Sequence, residues 1–129
     1  LMAFHKIYRS WAWTGGHADG DGDFEAVARR EAQEETGIQN LKKLGAGAAS
    51  IEVLPVWAHE KRGQAVGSHL HLNVTYLLEA DSEEQVFVKE DENSGVGWFT
   101  PEEALKKSTE PWFVEWVYGK LVEKMKKNN

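Results

Sequence analysis

The chain has 129 residues, 41% of them hydrophobic, with 6 Trp, which suits one domain with a real core. With Cys at 0, disulfides, thiol nucleophiles and zinc–cysteine sites are excluded, and a cytoplasmic setting is the expectation. A formal net charge of −6 argues against a nucleic acid polymer as partner, and no window is apolar enough for a membrane span or a secretory leader.

In chain order, residues 1–8 read as a strand ending in a polar turn over 6–10, and residues 10–14 lead into a glycine-rich turn. A helix is expected over 24–36, with Asp23 as its N-cap and Gly37 as its stop. Glu25 and Arg29 make an i,i+4 pair on its solvent side. Strands follow over 47–60 and 68–80, the second alternating clearly, with a flexible loop over 61–67 between them. Short strands are expected over 86–88 and 96–99, then a helix from Pro101 to about Lys107. A last helix spans about 111–126, with Val114, Val117, Leu121 and Met125 as one apolar stripe and Trp112, Phe113 and Trp116 as a second, both expected to pack in the core. Strands on both sides of a helix, then helices at the end, imply an α/β sandwich with a mixed sheet.

The helix over 24–36 carries the most informative pattern. At about 100° per residue, Glu31, Glu34 and Glu35 fall in one narrow sector together with Phe24, Val27 and Ala28. The stripe that should face the core is therefore taken over by acids near its end. Like charges on a partly buried face repel, and a hard divalent cation among them relieves the cost. Taken alone, the three acids also read as surface charge at a helix end. The run Asp19-Gly20-Asp21-Gly22-Asp23 looks like a calcium loop, but an EF-hand needs Gly at its sixth position and Glu at its twelfth, and Phe24 and Arg30 stand there. Those aspartates suit turns and a helix N-terminus. His69 and His71 share a strand face with Asn73 and Thr75. A His-x-His pair can bind zinc, but His17 and His59 are only loose candidates for a third ligand, and a polar strand face is the plainer reading.

The spacing of Gly16 from Arg30-Glu31-Ala32-Gln33-Glu34-Glu35-Thr36-Gly37-Ile38 resembles the Nudix box, and Trp98-Phe99-Thr100-Pro101-Glu102-Glu103-Ala104-Leu105 is similar to a segment late in Nudix domains. Two positions depart from the pattern: Gly22 stands where a Glu is usual, and Ala32 where a bulkier aliphatic is usual. The resemblance implies a single Nudix-like domain over 1–129, an α/β/α sandwich lacking an N-terminal strand that such domains usually carry. It implies hydrolysis of a diphosphate linkage in a small substrate, a nucleoside diphosphate derivative, with Mg²⁺ or Mn²⁺. Glu31, Glu34, Glu35 and the carbonyl of Gly15 would hold the metal. Glu34, Glu31, Arg30 and Glu92 would be catalytic, with Glu90 and Asp91 as rivals to Glu92. His17, His69, His71 and Asn73 would touch substrate. Arg30, deprived of a Glu at position 22, is expected to turn to Asp21 or Asp23, or to Glu34 at i+4. A homodimer is the alternative to core packing for the second apolar stripe, Trp112, Phe113 and Trp116. The alternative is a non-catalytic Nudix-like domain that binds a nucleotide or a partner protein. Isomerisation of a prenyl diphosphate, a third possibility, is weakened by the lack of Cys.

Overall fold

A computed structural model describes residues 1–6, 9–91, 93–109 and 114–127. The chain is α/β, and every strand pairing among the described residues is antiparallel. Strands β1 (Met2–His5), β2 (Ser10–Ala12) and β9 (Asn93–Gly97) form a three-stranded sheet in the order β2-β1-β9. Helix α1 spans Phe24–Thr36. Strand β3 (Lys42–Leu44) pairs with β8 (Leu77–Glu79), β4 (Ser50–Val56) with β7 (His69–Thr75), and β5 (His59–Lys61) with β6 (Gln64–Val66). Helix α2 covers Pro101–Lys107, and a π-helical turn over Val114–Tyr118 runs into helix α3, Gly119–Lys127.

Side chains explain the joins. Gly95 and Gly97 of β9 lie beneath Trp11, whose ring would meet a Cβ at Gly95 at 3.1 Å. Trp11 stands edge-on to Phe4 and Phe99, with centroids 5.7 and 4.9 Å away. The core gathers Met2, Leu54, Val117, Tyr118 and Leu121, with Trp13 edge-on to Tyr118. The wider π turn brings both Val117 and Tyr118 inward. Helix α2 opens on a capping box, Thr100 with Glu103, behind Pro101.

Five expectations need correction. One mixed sheet was expected, whereas the described strands form one three-stranded and three two-stranded antiparallel sheets. Residues 86–88 are not a strand: the Phe87 N–H donates to the Thr36 carbonyl at the end of α1, so that backbone is committed to a helix terminus. The segment 61–67 carries a hairpin, because Arg62 and Gly63 both take positive φ, as a two-residue hairpin turn requires. The long strands expected over 47–60 and 68–80 are each broken in two. Where β4 ends and β7 begins, Ser68 Oγ accepts from Ala58 N, and His59 and His69 bond the carbonyls of Trp57 and Gly67; the second break falls at Tyr76, between β7 and β8. The two stripes of the last helix also part company. Val117 and Leu121 are buried, while Trp116 is 64% exposed and takes no place in the core; Pro111, Trp112 and Phe113 lie outside the described residues.

Register places the β4–β7 ribbon's side chains. Val53 opposes Leu72 and Ile51 opposes Val74, and Ile51, Val53, Leu70 and Leu72 are exposed. The other face carries Glu52 opposite Asn73 and Leu54 opposite His71, with Leu54 in the core.

Candidate active site

Helix α1 is fixed at both ends. Asp23 caps its start by accepting from Ala26 N at 3.1 Å. Glu25 joins Arg29 at 3.3 Å and Lys43 at 3.0 Å, and its carboxyl is held below the ordinary value, chiefly by the Lys43 hydrogen bond. Gly37 closes the helix in the left-handed conformation, φ 79°, its N–H donating to Gln33 O. Thr36 Oγ1 donates to Ala32 O, and the buried Asn93 donates its amide to Glu35 O at 3.4 Å. The half of the helix that carries the acids is thus tied to β9 and to the segment around Phe87.

The two glycines before the helix meet two of those acids. Gly15 N–H donates to Glu35 Oε1 at 3.2 Å. A Cβ at Gly16 would lie 2.5 Å from Glu31 Cδ, so the missing side chain there is what admits the Glu31 carboxylate. Glu35 is buried, Glu31 half-buried and Glu34 exposed. Arg30 reaches Asp21, Nη1 to Oδ2 at 3.9 Å, as its lost Glu partner at position 22 led one to expect. Asp21 Oδ1 meanwhile accepts from Asp23 N at 2.9 Å, so one aspartate braces both turn and helix. Gly22 faces open space.

Hard oxygen donors of this kind suit Mg²⁺ or Mn²⁺. Glu31 and Glu35 already converge on the glycine turn, Glu35 on the Gly15 N–H and Glu31 against Gly16. Among the described residues, no three His, Asp or Glu side chains surround one point as a complete ligand set would. Glu34, which is exposed, is the acid that would have to swing in.

The candidate substrate side chains fall in two groups. His17, next to Gly16, packs its ring edge-on against His71, centroids 5.2 Å apart. His69 and His71 approach with their Nε2 atoms 2.9 Å apart. Burial, then the positive forms of His17 and His69, holds the His71 imidazole below its ordinary pKa. Asn73 instead spends its amide on Glu52 at 3.3 Å and Thr75 at 2.9 Å.

A model of the NUDIX domain matches residues 2–118. The chain belongs to the Nudix family. No curated protein matches it.

Within this Nudix chain, Glu92 lies outside the described residues, while its rivals Glu90 and Asp91 are both exposed. Two side chains near the site were not singled out from sequence: Glu52 and Lys120, which bond each other across the β4–β7 ribbon and α3. Burial acts to raise the Glu52 pKa, and the hydrogen bonds from Lys120 and Asn73 outweigh it, leaving the carboxyl below its ordinary value. Alternation along β4 was the available signal, since it puts Glu52 on the same face as Ser50 and Leu54, the inward one. Two surface depressions, one lined by Asn40, Lys42 and Glu79 and the other by Leu44, Ala49 and Lys124, take in neither the Nudix-box acids nor the histidines.

Proposed function

We propose that this chain is a Mg²⁺- or Mn²⁺-dependent Nudix hydrolase that cleaves a diphosphate linkage in a small nucleoside diphosphate derivative. The observation that carries this reading is the seating of Glu31 and Glu35 on the backbone of Gly16 and Gly15. A diphosphate brings its own negative charge, so it can settle beside these acids only with cations between them. A bound Mg²⁺ or Mn²⁺ would neutralise phosphate oxygens and acidify a bound water.

The chain's own groups supply the rest. Glu31, Glu34, Glu35 and the Gly15 carbonyl would hold the cation. Glu34, the exposed acid, takes the proton from the attacking water, with Glu92 as a further acid toward the same step. Arg30, anchored on Asp21, orients the carboxylates. His17 meets a phosphate next to the glycine turn, and His69, His71 and Asn73 line the approach along β7. Attack in line with the leaving group is the geometry such chemistry requires.

The second reading, a non-catalytic Nudix-like domain that binds a nucleotide or a partner protein, draws on the exposure of Glu34 and on Gly22. Incubation of a panel of nucleoside diphosphate derivatives with the protein and Mg²⁺ separates the two. Release of monophosphate or phosphate from any member supports hydrolysis; binding by calorimetry without release from any member supports the second reading.

The same proposal places the chain in the cytoplasm; no helix among the described residues is long and apolar enough to cross a membrane. The exposed side chains of Ile51, Val53, Leu70 and Leu72 offer the surface for the proposed homodimer, which light scattering on the eluting protein tests directly.

A further inference from the structure

We propose that His69 and His71, joined by His17, form a binding site for an imidazole-seeking transition-metal ion of the Zn²⁺ class, separate from the oxygen donors of the Nudix box. Backbone and side-chain bonding prepares the site. His69 Nδ1 lies 2.8 Å from the Gly67 carbonyl, which can only accept, so Nδ1 carries the proton and Nε2 presents its lone pair. A carbonyl behind a histidine is the usual support of a metal ligand, because it fixes both tautomer and ring direction. That lone pair faces His71 Nε2 at 2.9 Å. Without metal, His71 donates its Nε2 proton to His69. With metal, that proton moves to His71 Nδ1, and both Nε2 atoms become ligands with no net change in charge on the rings.

The distance fits. Two Zn–N bonds of about 2.05 Å at a tetrahedral angle set the nitrogens roughly 3.3 Å apart, and at a right angle about 2.9 Å. A shift of a few tenths of an ångström between the nitrogens is needed, with a turn of both rings so that the lone pairs aim at one point instead of along the line joining them, and His69 is exposed enough to make it. His17 supplies the third ring. It already leans on His71 and is itself exposed, so it can turn toward the ion without displacing packed atoms. Among the described residues, no three such side chains are set around one point; the ion would draw the third ring in. Imidazole nitrogens prefer Zn²⁺, Co²⁺, Ni²⁺ or Cu²⁺ over Mg²⁺, so this site and the carboxylate site select different ions. An ion here would tie β7 to the turn that carries Gly15 and Gly16.

The test uses the full chain stripped by chelator and then given Zn²⁺ or Co²⁺ alone, read without any assay of turnover. Equilibrium dialysis against excess Mg²⁺ should retain about one Zn²⁺ per chain. Co²⁺ should give visible absorption bands of a nitrogen-ligated ion. His69→Ala and His71→Gln should each weaken Zn²⁺ binding at least about tenfold, with His17→Ala weakening it less and altering the Co²⁺ spectrum. Unchanged circular dichroism shows that these variants fold. Glu31→Gln should leave Zn²⁺ binding intact. Failure to retain Zn²⁺, retention that survives the loss of both His69 and His71, or loss of Zn²⁺ in Glu31→Gln would each overturn the proposal.

Discussion

Gly16 and Glu31 exclude one another: the Glu31 carboxylate occupies the space that any side chain at position 16 would fill, with both its oxygens 2.7 Å from an added Cβ. The atoms displaced by such a Cβ are the far end of a flexible side chain, so Gly16→Ala should fold almost as well as the parent. Its effect should fall on turnover, by about 100-fold, because a displacement of about 1 Å at a reacting centre costs that much. Steady-state kinetics beside a thermal melt checks this. A large loss of stability with intact turnover would mean that Gly16 serves the fold alone.

Gly22 offers the converse experiment. Its φ is ordinary and its surroundings are open, so Gly22→Glu introduces neither strain nor clash. It restores a carboxylate next to Asp21, the residue that Arg30 now uses at 3.9 Å. Removing a glycine's freedom from the unfolded chain adds stability of about 0.4–1 kcal/mol, and the new ion pair should firm the loop. Urea unfolding should show the gain, and turnover should rise with it. No change, or a loss in both, would remove the bracing role of the Arg30 pair.

Gly37→Ala should destabilise the protein by about 2 kcal/mol. The left-handed φ of 79° strains any Cβ, and the added atom would lie 2.5 Å from Phe87 Cδ2. The helix end and the Phe87 segment would part together, since Phe87 N donates to Thr36 O at 2.7 Å. Hydrogen exchange at Phe87 and Gly37 should speed up in the variant. A melt indistinguishable from the parent would contradict the assigned cap.

Glu52 gives a pH dependence with a definite sign. Its folded pKa is depressed below the unfolded value, so its contribution to stability is present above the ordinary carboxylate range, about 4.3, and is lost as pH falls through the lower folded value. At pH 7 Glu52→Gln should cost about 1 kcal/mol through the weakened Lys120 contact. The gap between variant and parent should close in acid. Urea melts across pH test this, and a gap constant down to the acid limit would refute the charged Glu52–Lys120 bond.

Local signals made much of this fold legible. Asp23 and Gly37 bound α1 at both ends, Pro101 marked the first turn of α2, and alternation marked β7. The failures came where distant groups decide. The apolar run Val86-Phe87-Val88 reads as a strand until Thr36 is known to claim the Phe87 N–H. Glu52 and Lys120 lie 68 positions apart, and nothing local links them. The site divides the same way. The resemblance to the Nudix box grouped Glu31, Glu34 and Glu35 with Gly15; in the fold Glu31 and Glu35 meet the glycine turn while Glu34 is exposed. That resemblance could not show that His17 would stand against His71, because that contact depends on how β7 packs beside the turn.

The central claim, that the acids of α1 serve diphosphate hydrolysis, is tested most directly by comparing Glu34→Gln and the parent on whichever panel member the parent turns over with Mg²⁺. Neutralising Glu34 should lower kcat by at least about 100-fold while circular dichroism and the thermal melt stay unchanged, since the exposed side chain contributes little to packing. Turnover by Glu34→Gln at the parental rate would contradict the account.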